Sequence, residues 1–281
     1  MLGYGRFRSW SALGVLVLLE PYRVLDLTDE RGELAGFMLA QLGAEVIAIE
    51  PPNGSPSRSM GPFRDGKPGI ENSLRFGSYG RGKSSVILDL IGSETDRQKL
   101  LELVKGADVL VDSGAAGKLA ELGLSYTDMA HVNPALVYAS ITPFGLSGPK
   151  ADWAATDLTV WAAAGPAGIT GDSDRAPLRL PSEQSSMHAS AEAAGAIIAA
   201  LYERSRSGLG QLVDVSAQQA SAQATQSMIL AHPNGDTMLT REAGGLKFGD
   251  VFIQLLWPCL DGYVSVTFLF GSAIGVATDR L

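Results

Sequence analysis

The chain has 281 residues, 46% of them apolar and 19% charged, which excludes a disordered chain and suffices for one large domain or two modest ones. Lys plus Arg number 22 against 30 Asp plus Glu, a net charge of −8, and the basic residues form no run. Phosphate contacts need clustered Lys and Arg, so nucleic acid is excluded as a partner.

Single Cys259 cannot make an internal disulfide, which fits a reducing, cytoplasmic compartment. It lies in the apolar run Leu255-Leu256-Trp257-Pro258-Cys259-Leu260 and reads as a buried thiol rather than a nucleophile. At the N-terminus, Arg6 and Arg8 precede an apolar run from Ala12 to Leu19, but no small-residue cleavage site follows. Residues 1–21 therefore read as an extension, or as a start assigned too early. No apolar stretch reaches the roughly 20 residues that span a bilayer, so no membrane is expected.

Arg23–Leu27 reads as a buried strand, followed by the polar turn Thr28–Gly32. Glu33–Gln41 reads as a helix with Leu34, Phe37, Met38 and Leu42 on its apolar face and Gly43 closing it. Glu45–Glu50 completes a β-α-β unit. Residues 51–70 form a loop rich in Pro, Gly and Ser. Strands are predicted at Ser85–Leu90, Asp108–Asp112 and Leu136–Ile141, with a helix over Glu94–Gly106. This alternation predicts an α/β protein whose Rossmann-like, doubly wound large domain covers residues 22–233.

Ala189–Arg204 is a long Ala-rich helix whose small side chains allow close backbone approach, in the core or at a subunit interface; Gly208-Leu209-Gly210 breaks it. A strand over Gln211–Ser216 and a helix over Ala217–Ala231 follow. Residues 234–250 read as a linker. Val251–Leu256 and Gly262–Thr267 are predicted to pair as a hairpin across Asp261-Gly262, beginning a small α+β domain over residues 251–281. His188 and His232 are isolated and offer no metal-ligand spacing.

An ordered set of short motifs carries the reading further. Val24-Leu25-Asp26-Leu27 begins it, then Leu39-Ala40-Gln41-Leu42-Gly43-Ala44-Glu45-Val46-Ile47 and Gly82-Lys83-Ser84-Ser85-Val86. Asn133-Pro134-Ala135-Leu136-Val137-Tyr138-Ala139-Ser140-Ile141-Thr142-Pro143-Phe144-Gly145 follows, and the series closes on Ser207-Gly208-Leu209-Gly210-Gln211-Leu212-Val213-Asp214-Val215-Ser216. In order and spacing the set resembles the class III CoA-transferases, the CaiB/BaiF family of formyl-CoA and carnitine CoA-transferases, from about Tyr22 to Thr267.

The resemblance implies a large Rossmann-like domain, a small domain, and a return of the chain to the large one. It also implies dimers whose chains interlock like rings. Against that pattern the chain reads as truncated, stopping just inside the small domain. The implied activity is transfer of coenzyme A between acyl-CoA thioesters and carboxylic acids. CoA and acyl-CoA enter as substrates and no cofactor is bound permanently. The implied partner is a second copy or a homologous subunit. A carboxylate attacks the thioester to give a mixed anhydride, CoA thiolate converts this to an enzyme thioester, and the acceptor acid collects the CoA.

The family's nucleophilic Asp precedes the Ala-rich helix. Here that stretch, Arg179-Leu180-Pro181-Ser182-Glu183-Gln184-Ser185-Ser186-Met187-His188, holds no Asp. One alignment places Ser185 or Ser186 at the position, another Glu183. Glu183 is the only carboxylate in the stretch and is the candidate nucleophile; otherwise it is a solvated loop residue in a non-catalytic partner subunit of a heteromeric transferase. The racemase branch of the family carries a His-Asp pair where Ala154-Ala155-Thr156-Asp157 stands here, and Thr156 cannot shuttle a proton at neutral pH. Asp157 matches a common acidic position and either orients substrate or caps the helix that follows it. Lys83 matches the family's Lys near the nucleotide. The turn containing Arg31 and Gly32, and Ser113 after the Asp108–Asp112 strand, are the other candidate CoA contacts, with Arg58 a possible substitute cation.

Overall fold

The computed structural model describes residues 17–225, 230–231, 233–235, 241–248 and 250–266. Residues 1–16 of the expected extension, His232, Thr267 and the remainder of the small domain to Leu281 lie outside the described residues. Contacts divide the chain into two units: residues 1–164 with 182–224, and residues 165–181 with 225–281. Residues 165–181, which the sequence pattern puts inside the first domain, group with the second unit.

The first unit is built on strands β1 (Arg23–Leu27), β2 (Glu45–Glu50), β3 (Lys83–Ile87), β4 (Val109–Asp112), β5 (Val137–Thr142) and β6 (Leu212–Ser216). They form one sheet in the order β3-β2-β1-β4-β5-β6, and every pairing is parallel. Between them run helices α1 (Glu33–Gln41), α2 (Leu74–Tyr79), α3 (Glu94–Val104), α4 (Tyr126–Val132), α5 (Asp157–Ala164), α6 (Gln184–Ser207) and α7 (Ala217–Gln223). This strand order is that of a doubly wound Rossmann-like sheet, whose switch point lies between β1 and β4.

Strand residues alternate between two apolar layers, as period-2 geometry requires. Val24, Val109, Val111, Val137, Ala139 and Ile141 face Leu39 of α1 and Ala189, Ala193 and Ile197 of α6. Leu25, Leu110, Leu136 and Tyr138 face Leu100 and Val104 of α3 and Met129 of α4. Leu19, which the sequence pattern assigns to the extension, is buried in the first layer. Ala189, Ala193, Ala194 and Ala200 of α6 therefore pack in the core of this unit, while Ala191 and Ala199 are exposed. The helix ends on Gly208 at φ 76°, a left-handed cap that suits glycine. Arg204 ties that end back, donating to Asp108 Oδ1 at 2.9 Å.

Several elements depart from the sequence pattern here: α4 has no counterpart in it, α6 begins at Gln184 rather than Ala189, and α7 ends at Gln223 rather than Ala231. β3 begins at Lys83 rather than Ser85 and leaves the sheet after Ile87, where Asp89 turns the chain by accepting from the Gly92 amide at 2.8 Å. Helix α2 has no counterpart in the pattern, because Gly77 and Gly80 obscure its periodicity. Ser73 starts it, its Oγ accepting from the Phe76 amide at 3.1 Å.

In the second unit β7 (Gly245–Phe248) pairs antiparallel with β8 (Val251–Gln254), and β9 (Leu256–Cys259) with β10 (Gly262–Ser265). The predicted hairpin is corrected accordingly: Gly262 pairs with Cys259 across Leu260-Asp261, while Val251–Gln254 belongs to a hairpin of its own. Cys259 is exposed rather than buried, because both faces of the two-stranded β9–β10 ribbon are open. Among the described residues no helix is long and apolar enough to cross a membrane.

Candidate functional site

In open parallel sheets ligands meet the carboxyl ends of the strands near the switch point. A cavity of about 280 Å³ opens there in the first unit. Glu30 and Arg31 line it after β1, Ser113 after β4, Thr142 and Pro143 at the end of β5, and Ala217 after β6. Its remaining wall comes from Thr156, Asp157 and Val160 at the start of α5 and from Glu183, Ser185 and Ser186 at the start of α6.

The β1 loop is seated against β4. Ser113 Oγ accepts from the Asp29 amide and donates to Asp29 Oδ1, each at 2.9 Å. Gly32 makes this approach possible, since a Cβ there would stand 2.7 Å from Thr28 Cγ2 and 2.9 Å from Ser113 Cβ. Asp29 clamps Arg31 through Nε and Nη2, and Arg31 is the only Lys or Arg among the lining residues. Burial, reinforced by the charge of Asp29, pushes the Glu30 carboxyl above its usual range.

Behind this loop Asp112 is 7% exposed, and burial pushes its carboxyl from 3.8 up to about 6, the Gly114 amide bond opposing and Asp29 adding to the rise. A raised carboxyl pKa favours folding fully below pH 3.8 and loses that contribution as pH climbs through about 6. The gap corresponds to about 3 kcal/mol. Asp112→Asn, which keeps an acceptor for Gly114, should therefore stabilise the protein at pH 7.5 relative to wild type and lose that advantage near pH 4. Denaturant melts of both proteins at the two pH values measure the difference, and a pH-independent difference would remove Asp112 from this role.

Asp157 is used where the sequence left two options open. It does not cap its own helix; Thr156 and Thr159 do that for α5. Instead it caps α6: Oδ1 accepts from the Ser185 amide at 2.8 Å and the Ser186 amide at 3.4 Å, and Oδ2 from the Gln184 amide at 3.2 Å. The Ser185 hydroxyl also donates to it. Its carboxylate is thus taken up in holding the α6 N-terminus, where negative charge is favoured. Of the two serines that an alignment leaves open, Ser185 is buried and committed to Asp157, and Ser186 lines the cavity.

Glu183 stands at the N-cap of α6, where it makes no capping bond. Its Oε2 accepts from Arg75 Nη1 on α2, and the side chain is a quarter exposed into the cavity wall. Arg75 carries no sequence signal of this role, because its partners lie 42 and 108 residues away. Glu30 is a further lining residue that sequence reasoning does not single out, although it sits in the turn beside Arg31 and Gly32.

Two expected ligands lie apart from the cavity. Lys83 is 6% exposed and donates from Nζ to Asp26 Oδ2 at 2.7 Å and to the Glu33 carbonyl at 2.8 Å, so its charge is spent inside the fold. Arg58 donates to Glu50 from Nε at 2.6 Å and from Nη2 at 2.8 Å, and its guanidinium lies 3.8 Å from the Phe76 ring centroid. Burial works to raise the Glu50 carboxyl, but the bonds from Arg58, Ser85 and the Ser55 amide hold it down at about 2. His188 is packed, stacking on Trp161 with ring centroids 5.7 Å apart.

A family model described as CoA-transferase family III matches residues 19–273. The chain is 38% identical over 253 residues to the succinyl-CoA:(R)-benzylsuccinate CoA-transferase subunit BbsE of Thauera aromatica, covering 89% of this chain and 60% of that protein. It is also 38% identical over 196 residues to the acetyl-CoA:oxalate CoA-transferase of Acetobacter aceti, covering 69% of this chain and 49% of that protein. In three dimensions it resembles the crystal structure of a CAIB/BAIF family protein from Brucella suis, with a TM-score of 0.76 and 28% identity over 87% of this chain and 64% of that one. The chain thus spans 60% or less of these two sequence relatives.

Proposed function

Because this chain belongs to CoA-transferase family III, we propose that it transfers coenzyme A between acyl-CoA thioesters and carboxylic acids, with the cavity at the sheet's carboxyl edge as its acyl site. One observation carries the reading: Glu183 presents a carboxylate in that cavity wall with one oxygen held by Arg75 and the other unengaged. At about 280 Å³ the cavity lies near the lower end of ligand sites, roughly 300 Å³, so it suits a small acyl group and the thioester, with the nucleotide end of CoA outside.

In the proposed cycle the free oxygen of Glu183 attacks the thioester carbonyl carbon, the C–S bond breaks, and CoA leaves as thiolate. The thiolate then attacks the Glu183 carbonyl of the mixed anhydride, releasing the donor acid as carboxylate and leaving a glutamyl thioester. An acceptor carboxylate attacks that thioester, CoA leaves again, and its return to the acceptor carbonyl frees Glu183. No net proton is needed. Arg31 and Ser113, seated by the Gly32 approach, are the proposed contacts to the CoA thioester; Asp157 acts indirectly, by fixing the start of α6 and hence Glu183.

A second reading, that of a partner subunit acting with a homologous chain, is supported by the word subunit in the name of the benzylsuccinate relative and by the absence of Asp between Arg179 and His188. Racemase activity is disfavoured, because Thr156 lies where the proton shuttle belongs and is bonded to Thr159. The full-length protein should be incubated with a panel of acyl-CoA donors and acids, alone and mixed with an Asp-bearing homologue. Transfer alone supports the first reading and transfer only in the mixture the second. No transfer in either, together with no CoA binding by calorimetry, would overturn both.

A further inference from the structure

Arg75 belongs to no strand loop of the cavity, yet its guanidinium joins two segments that do build it, the β1 loop and the start of α6, to the start of α1. Nε donates to Glu33 Oε1 at 2.8 Å at the start of α1, and Nη2 to the Glu30 carbonyl at 2.8 Å in the β1 loop. Nη1 donates to Glu183 at the start of α6. All three nitrogens are engaged and the side chain is 16% exposed. Arg75 is therefore placed to act on Glu183 and not on a ligand.

From this geometry, and resting on the reading of Glu183 as the nucleophile, we infer that Arg75 is the positioning residue of the site. It engages Oε2 and so leaves Oε1 as the oxygen presented to the thioester. A glutamate at an N-cap with no capping bond would otherwise sample its rotamers freely, and nucleophilic attack needs the reacting atoms held within about 3–3.5 Å in a defined direction. A planar guanidinium can do this. One arm holds Glu183 while the other two anchor to α1 and the β1 loop, which a lysine ammonium on a flexible stem cannot reproduce with the same rigidity. The same fork ties the start of α6 to the β1 loop, so the nucleophile and Arg31 keep a fixed spacing across the cavity.

The test compares wild-type full-length protein, assayed alone and with an Asp-bearing homologue, with Arg75→Lys and Arg75→Met. Steady-state kinetics and thermal melts are recorded for each. Arg75→Met should lower kcat by about 100-fold while KM changes less than about threefold, the signature of a misplaced group rather than lost binding. Arg75→Lys should recover part of the rate. Should Arg75→Met fail to fold, Arg75→Lys alone decides, with kcat reduced at unchanged KM. A variant that melts earlier but keeps wild-type kcat when folded, or one that changes KM alone, overturns the role of Arg75. Wild-type protein that transfers CoA by itself but is insensitive to Glu183→Gln overturns the nucleophile reading first, and this role with it.

Discussion

Replacing Glu183 with Gln is expected to stop covalent transfer while leaving CoA binding in place. Gln keeps the length and volume of the side chain, and its carbonyl can still accept from Arg75 Nη1, so the start of α6 should stay where it is. What disappears is the carboxylate that attacks the thioester. Loss of an enzyme nucleophile costs on the order of 10⁴-fold or more in rate, because no remaining group can split the exchange into two easier steps. Wild-type protein trapped with hydroxylamine during turnover should yield a hydroxamate on the peptide containing Glu183, and the variant none. Calorimetry with CoA should return the same affinity for both. An unchanged transfer rate in Glu183→Gln would make Glu183 a loop residue. Transfer that needs an Asp-bearing homologue and ignores the substitution would make this chain its partner subunit.

The sheet was legible because its signals are local. Arg23–Leu27, Glu33–Gln41 and Glu45–Glu50 are found with the bounds expected, since an apolar strand, a polar turn and an amphipathic helix closed by Gly43 each announce themselves within a few residues. β3 slipped by two residues because Leu88-Asp89-Leu90 continues the strand pattern while Asp89 folds the backbone away. The hairpins of the second unit were paired wrongly because two apolar stretches competed for Gly262–Ser265, and register depends on which turn closes first.

The site was less legible for a different reason. Asp157 caps a helix that begins 27 residues later, and Arg75 meets Glu183 across 108 residues. Nothing in a local window reports such pairings. The pairing of Lys83 with the buried Asp26 carboxylate, 57 residues away, is equally invisible in the motif that holds the Lys. The strands did show where the cavity would open, because the ends of β1 and β4 flank the switch point; the division of labour among its charges came only from the folded geometry.

Lys83 carries the largest expected effect on stability. Asp26 is 2% exposed in the middle of β1 and its Oδ1 is already committed to Thr28, accepting from the amide at 3.0 Å and the hydroxyl at 2.6 Å. Oδ2 depends on Lys83 Nζ, which reaches over β2 from the first residue of β3 and also satisfies the Glu33 carbonyl in the first turn of α1. Gly36 leaves room for this pair, since a Cβ on that residue would collide with Asp26 Oδ2. Lys83→Met keeps the aliphatic stem but strands the carboxylate in a site that water does not reach. Removing one partner of a buried ion pair typically costs about 3–5 kcal/mol. Denaturant unfolding should therefore show a loss of that size for Lys83→Met, against less for Lys83→Met combined with Asp26→Asn, which removes the orphaned charge. CoA affinity of the folded fraction should stay within about twofold of wild type, because the ammonium does not line the cavity. A stable Lys83→Met protein that binds CoA about ten times more weakly would instead return Lys83 to the ligand.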